Sequence, residues 1–284
     1  MKILHFSPVR KPFDIVKLHL ESLQHLRVKN IELTLSFFDD NINDKSSQYL
    51  RQFVEETNNT FLHKLDLTHL DNYTGDLRWT YVLYERITFI KDKVITYFLE
   101  NDFDYLFLTD SDLIVHPNTL ENLVNQKKDF CTAIFWTQFD KSIPYSPNAW
   151  YAKSKGFTKL DLINLSKKGT FPVDFTGACT LLSRKILEDK VSFKKIPNIE
   201  YLGEDKHFCI RAAVMGYQPF CATHFPAFHI YNESYIDQAK EILNSNFKNN
   251  YADKWLDIDW EIKIESWLKP KKKSLIRKMY NKFK

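Results

Sequence analysis

Asp110 and Asp112 stand one residue apart in "DYLFLTDSDLIVH", at the end of an apolar run. The run reads as a buried strand, being rich in large apolar residues. Ionised carboxylates in such a place are costly unless something compensates them. Residues i and i+2 of an extended segment point the same way, so the two could converge on one cation. Hard divalent ions such as Mg2+ and Mn2+ take oxygen ligands and often share them with substrate phosphates. Taken alone, Asp-x-Asp reads as readily as a solvated turn, since Asp and Ser are turn residues. Its place behind a buried strand favours the ion.

Four further stretches carry residues with chemistry. In "YLGEDKHFCIRAAVMGY", Glu204 and Asp205 open a helical pattern. Asp there is a favoured helix cap, or a carboxylate that takes a proton from a reacting hydroxyl. Gly203 before them would let an acceptor approach the backbone. In "HFPAFHIY", His224 or His229 could complete a metal site, and an imidazole tilts the preference toward Mn2+. Each is equally a packed histidine. In "FTGACTLLSR", the small Gly177 and Ala178 either pack tightly or leave room for a sugar ring. In "AIFWTQFD", Trp136 is a core ring, or a platform that stacks on a sugar or lines an acceptor cleft.

The elements that must position these residues alternate in the first half. "KILHFS", "IELTLSFF", "TFLHKLDL", "DYLFLT" and "DFCTAIFW" read as strands. Pro12 to Leu26, Ser46 to Glu56 and Leu77 to Glu100 read as helices, and Pro117 opens a short one. Such alternation implies an α/β fold, a mostly parallel sheet with helices on both faces. Ligands of these sheets bind at the carboxyl ends of strands, where Asp110 and Asp112 fall. The second half is less regular. Ser146 to Lys168 reads as loop and short helix, and "DFTGACTLLS" as one strand. Asp205 to Met215 reads as a helix ended by Gly216, "FCATHFPAFHIY" as paired short strands around Pro226, and Glu233 to Asn249 as a helix. Residues 1–268 are expected as one domain, followed by a basic tail over 269–284.

Composition narrows the class. The 284 residues are 44% hydrophobic and 27% charged, as in soluble globular proteins. Eight positive charges and no acid fall in 269–284, so a net charge of +4 overall leaves −4 for the rest. That balance does not indicate a nucleic-acid-binding face. The four cysteines show no CxxC spacing and fit reduced, buried thiols. The N-terminus lacks a signal-peptide apolar run, and no stretch is long enough to span a membrane. A cytoplasmic protein is expected.

In this order, "HFSPVRKP", "YLFLTDSDLIVHPNTLENLV", "KDFCTAIFWTQF", "GACTLLSR", "GEDKHFCIRAAVMGY" and "FPAFHIY" resemble the GT-A glycosyltransferases. The likeness is strongest to the bacterial family-2-like and Anp-like members, over Lys2 to Tyr231. It implies the Rossmann-like nucleotide-diphospho-sugar transferase fold and a metal-dependent sugar transfer to an acceptor hydroxyl. Asp110, Asp112 and His229 would hold Mn2+ or Mg2+ on the donor's diphosphate, with Ser111 between the two aspartates among the donor-binding residues. Asp205 would be the general base, and Glu204 would orient the acceptor. Ser7, Pro8 and Val9 would sit near the nucleobase, and Lys91 with Asp92 would face the nucleotide. The usual aromatic and Asn after the proline are replaced here by Val9 and Arg10, which bears on base identity; uridine diphosphate is the commonest in such folds. The Glu204–Asp205 motif points to inversion at the anomeric carbon, although the Anp-like relatives include retaining enzymes, and a loop within Lys141 to Gly156 is expected to close over the site.

Rival readings are a sugar-phosphate nucleotidyltransferase and a non-catalytic nucleotide- or carbohydrate-binding protein of this fold. The first usually shows a Gly-rich N-terminal loop, which "HFSPVRKP" lacks. The acceptor could be a saccharide, a lipid-linked oligosaccharide or a peptide side chain. In 269–284, Leu275, Ile276, Met279, Tyr280 and Phe283 would form one stripe opposite lysines. Such a helix lies on anionic membranes and would suit a lipid-linked acceptor on the inner face; a solvated disordered tail is the other reading.

Overall fold

The structure is a computed structural model, describing residues 1–70, 81–137, 146–152, 159–199 and 203–246. The chain alternates from its start: β1 (Lys2–Val9), α1 (Phe13–Gln24), β2 (Glu32–Asp39), α2 (Asp44–Glu56), β3 (Thr60–Leu62), α3 (Tyr81–Glu100) and β4 (Tyr105–Leu108). Then come β5 (Leu113–Ile114), α4 (Thr119–Asn125), β6 (Phe130–Thr137), β7 (Ser146–Pro147), β8 (Ala149–Trp150) and α5 (Lys159–Ser166). The last third holds β9 (Thr170–Pro172), β10 (Phe175–Thr176), β11 (Thr180–Ser183), α6 (Arg184–Glu188), α7 (Glu204–Val214), β12 (Phe220–His229), a 3-10 turn (Glu233–Tyr235) and α8 (Ile236–Asn246).

The main sheet runs β3-β2-β1-β4-β11-β6-β12-β5, with β7 beside β6 and β9 beside β12. The pairs β1–β2, β1–β4, β2–β3 and β6–β12 are parallel. Strand β11 lies antiparallel to both β4 and β6, so those two point the same way. The carboxyl ends of β1, β4, β6 and β12 therefore share one edge of the sheet, the place expected for ligands.

Both faces are covered. On β1, Ile3 and Val9 join the apolar cluster of α1 and α2, while Leu4 and Phe6 join that of α3. On β4, Phe107 belongs to the first cluster and Leu106 and Leu108 to the second. A strand buried on both faces reads as a continuous apolar run, which is why these two were visible in the sequence. Helix α2 begins at Asn43, whose side chain accepts from the backbone N–H of Lys45 and Ser46. Helix α3 turns Ile90, Val94 and Phe98 into the sheet, and buries Lys91 with them.

Several boundaries differ from the sequence reading. "TFLHKLDL" forms only the three-residue β3, at the sheet edge. Pro117 precedes α4 by two residues, and Asn118 is its cap. "DFTGACTLLS" is not one strand. It breaks at Gly177–Cys179 into β10 and β11, with Cys179 at φ +64°. "FCATHFPAFHIY" is one strand, not two, with a register break between Ala222 and Ala227. Pro226 has no N–H to give to a ladder and falls inside that break. Part of Ser146 to Lys168 is strand, β7 and β8.

The start of the helix expected at Leu77, the part of 233–249 beyond Asn246, and the tail 269–284 lie outside the described residues. So do 141–145 and 153–156 of the expected closing loop. Among the described residues, no helix is long and apolar enough to cross a membrane. The four cysteines are buried and form no disulfide.

Candidate active site

The expected extended geometry of "TDSD" is not found. After β4 the chain turns, and the Leu113 N–H donates to the Asp110 carbonyl at 3.3 Å. The turn sends the two carboxylates toward different neighbours, because it replaces the two-residue period of a strand.

Asp112 faces Lys11 and His229. Its Oδ2 lies 2.6 Å from Lys11 Nζ and 3.2 Å from His229 Nε2, while its Oδ1 is buried with no hydrogen-bond partner. Burial alone would raise the Asp112 carboxyl; Lys11 and His229 outweigh it and hold it well below the usual range. His229 is the last residue of β12. Its Nδ1 meets Thr137 Oγ1 at 2.7 Å, and its ring packs edge-on against Phe135. A partner on Nδ1 fixes the ring so that Nε2 points inward at the carboxylate.

Asp110 lines a narrow cavity with Lys91, Asp205, Gly177 and Pro8. Burial raises its carboxyl to about 6; Lys91 opposes this, and Asp112 and Glu204 add to it. Beside it, Lys91 Nζ donates to Glu204 Oε1 at 2.7 Å and to Asp205 Oδ1 at 2.9 Å. The Lys91 and Glu204 side chains are 5% exposed, and Asp205 is 28% exposed. Asp205 is therefore open to water while it is paired with Lys91. Burial pushes the Asp205 carboxyl up, Lys91 pulls it down, and Glu204 and Asp110 raise it again, to about 7. Burial would lower Lys91, but Asp205 and Glu204 dominate and hold it above its ordinary range.

The entry to α7 explains how these acids come free. Its N-cap is Gly203 at φ +115°, a backbone that side chains rarely adopt, and no side chain caps the helix. Glu204 and Asp205 thus occupy the first turn, which favours negative charge, without being used as caps. Gly177 closes the other side. A Cβ there would meet Asp205 Oδ2 at 2.8 Å, so only glycine leaves this carboxylate in place.

Other expected residues fall as follows. Ser7 and Val9 are fully buried in β1, and of the "SPV" run Pro8 lines the cavity. Arg10 pairs with Asp40 at 3.1 Å, and Asp40 also holds Arg86. Lys91 meets the two acids of α7 rather than standing apart from them. Asp92 accepts from the Phe193 N–H at 2.8 Å. Ser111 and Ala178 are buried, and the Ala178 carbonyl accepts from Thr132 and Asn148. Trp136 is buried in an apolar cluster with Ile134, Leu162 and Leu165. His224 lies in the register break of β12.

Sequence reasoning missed Lys11, Thr137 and the Asp40 pair. The one available signal was two basic residues, Arg10 and Lys11, directly beyond the first strand. Among the described residues, no group of three or more His, Cys, Asp or Glu is placed to hold a metal ion. The donor set at Asp112 is one carboxylate and one imidazole.

No family model and no curated protein matches this sequence. Solved structures do match its fold. The mannosyltransferase PcManGT from Pyrobaculum calidifontis, in complex with GDP-Man and Mn2+, superposes with a TM-score of 0.53 at 12% identity. The match covers 93% of this chain and 73% of that one. Residues 1–349 of S. aureus TarS match with a TM-score of 0.51 at 14% identity, over 95% of this chain and 73% of that one. The same protein in complex with UDP gives 0.50 at 13%, over 90% and 74%. The fold is that of the GT-A glycosyltransferases.

Proposed function

We propose that this chain is a metal-dependent glycosyltransferase, moving a sugar from a nucleotide-diphosphate donor to an acceptor hydroxyl. What supports this is one convergence. The carboxylates of 110–112, the imidazole of β12 and the acids of α7 meet at the carboxyl edge of the sheet. The fold is consistent with it, and the solved neighbours carry GDP-Man with Mn2+ in one case and UDP in another.

Asp112 and His229 fit a divalent cation as two of its ligands. They offer one oxygen and one nitrogen, and Asp112 Oδ1 is a buried acceptor without a donor. Mg2+ and Mn2+ commonly take their remaining ligands from water and substrate phosphate. The ion, when bound, would neutralise charge on the departing diphosphate. Asp110 adds negative charge between this pair and the acids of α7. Thr137 holds His229 in orientation, as the outer partner of a ligating imidazole does.

Asp205 takes the proton from the acceptor hydroxyl. A base poised near neutrality is well matched to that task. Lys91 holds both α7 acids in position, and Gly177 keeps the space over Asp205 clear. Direct attack by the activated hydroxyl inverts the anomeric centre. The acceptor is a saccharide, a lipid-linked glycan or a peptide side chain. We further assign the basic segment 269–284 to anionic membrane surface on the cytoplasmic side; truncation after Trp267 that leaves liposome binding unchanged would sink that assignment.

The test is a thermal-shift panel with UDP and GDP, each with Mn2+ or EDTA, on wild type and Asp112→Ala. A ligand that binds only the folded chain raises its melting temperature. The expected result is a Mn2+-dependent rise with one nucleotide, lost in Asp112→Ala. No rise with either nucleotide refutes the donor site and leaves a non-catalytic protein of this fold.

A further inference from the structure

Lys11 occupies an unexpected position. Its ammonium sits 2.6 Å from Asp112 Oδ2, the oxygen that also faces His229 Nε2 at 3.2 Å. We propose that Lys11 is a built-in competitor for the divalent-ion place on Asp112, and that it must leave this oxygen before an ion can bind there. The proposal rests on the donor-site reading above, in that the ion is the one assigned to Asp112 and His229.

The geometry argues for exchange rather than coexistence. A divalent ion bonds carboxylate oxygen at about 2.1 Å. With Lys11 still on the same oxygen, the two cations would lie within about 5 Å of each other in a buried setting, where repulsion is poorly screened. The Asp112 side chain is 5% exposed and that of Lys11 22%, so the lysine has a way out toward solvent while the carboxylate does not. An ion shared with His229 falls at Oδ2, the oxygen that faces Nε2 and that Lys11 holds, and Oδ1 makes no hydrogen bond.

The backbone of Lys11 is pinned. Its N–H donates to Asn41 Oδ1 at 3.0 Å, and its carbonyl accepts from Ser46 Oγ at 3.0 Å. Exchange therefore needs only rotation of a flexible four-carbon arm that ends in a compact point charge. Arg10 next to it is committed to Asp40, which Arg86 also grips. Once displaced, the ammonium remains at the same strand end, where a diphosphate would be a second anion for it. Ion and diphosphate then bind with positive coupling, each making the other's site available.

Titration of the full chain with Mn2+ alone, read from the EPR signal of the free ion, tests this. Lys11→Met, which keeps the length of the arm without its charge, is expected to bind Mn2+ at least tenfold tighter than wild type. Lys11→Arg keeps a cation and is expected to stay near wild type, and Asp112→Asn in the Lys11→Met chain is expected to abolish the gain. Circular dichroism of each variant checks that it is folded. Equal or weaker Mn2+ binding by a folded Lys11→Met, or none by either chain, overturns the proposal. A parallel thermal shift of wild type with UDP or GDP in the presence of Mn2+ keeps the two readings apart. A shift there with no Lys11 effect on Mn2+ sinks the competitor and leaves the donor site. A Lys11 effect without any nucleotide shift does the reverse.

Discussion

Replacing Lys91 by Met would remove one buried positive charge, whose nitrogen lies 4.9 Å from the Phe193 ring centroid, and keep most of the arm that carries it. Glu204 and Asp205 would then share the first turn of α7 with no counter-ion at hydrogen-bond distance among the partners now described. Breaking a buried pair by removing one partner costs about 3–5 kcal/mol. The lower end applies, because Asp205 is 28% exposed and water takes part of the load. A loss of about 3 kcal/mol lowers the melting temperature of a domain this size by about 6–12 °C. The loss must depend on pH. Protonated carboxyls need no counter-ion, and in the unfolded chain these acids titrate near 4. Without Lys91 the ionised form is disfavoured only in the native state, so the deficit against wild type opens as pH rises through about 7, where native Asp205 ionises, and closes in acid. Lys91 itself is held above its ordinary range and stays charged throughout. Scanning calorimetry at pH 5, 6, 7 and 8 reads this directly, and Glu204→Gln with Asp205→Asn should restore much of what Lys91→Met loses. A deficit that is the same at pH 5 and pH 8 would refute the reasoning, since it would make Lys91 a packing residue and not a counter-charge.

The Asp205 carboxyl, raised to about 7, predicts that kcat/KM climbs with pH and levels off above about 7. Asp205→Asn should abolish that limb and lower turnover by about 10²–10⁴, measured with a donor chosen from the thermal-shift panel. The same raised carboxyl makes its ionisation a drain on stability that grows from about pH 4 to 7, so Asp205→Asn should be more stable than wild type at pH 8. Gly177→Ala should displace Asp205 and cut kcat with little change in melting temperature, and in an Asp205→Asn background it should cost almost nothing more. Thr137→Val removes the partner of His229 Nδ1 and should weaken Mn2+ binding about 10–100-fold by titration.

The first half of the fold was legible because its strands are buried on both faces and its helices keep a steady apolar stripe. β1, β2, β4, α1 and α2 fall within a few residues of their expected places, and α3 ends at Glu100 as expected. The second half was harder for identifiable reasons. The two-residue β5 is too short to carry a period, and it exists only because Phe228 and His229 pair with Ile114 and Leu113. Gly177 suggested tight packing or room for a sugar ring, but not the break in the strand that puts Asp205 against it. Pro226 looked like a divider between two strands, whereas a register break absorbs it within one. Of the site, the residue types were legible and their grouping was not. Asp110 and Asp112 read as twins, yet the turn at Ser111 gives one to Lys91 and the other to Lys11 and His229. Lys11 was out of reach because its partner is far along the chain, and no local pattern reports such a contact.

The place of β11 sets a timetable for synthesis. It inserts between β4 and β6, so β4 emerges from the ribosome with one edge bare, and it stays so until the residues around Thr180 are made. His229 arrives later still, roughly a hundred residues after the carboxylate it will face. At the translation rates of cells, about 5–20 residues per second, Asp112 waits on the order of ten seconds for its imidazole. Throughout that interval Lys11, made before either, is already present to neutralise it. A nascent chain therefore carries its own counter-ion for Asp112, made long before the imidazole that shares it.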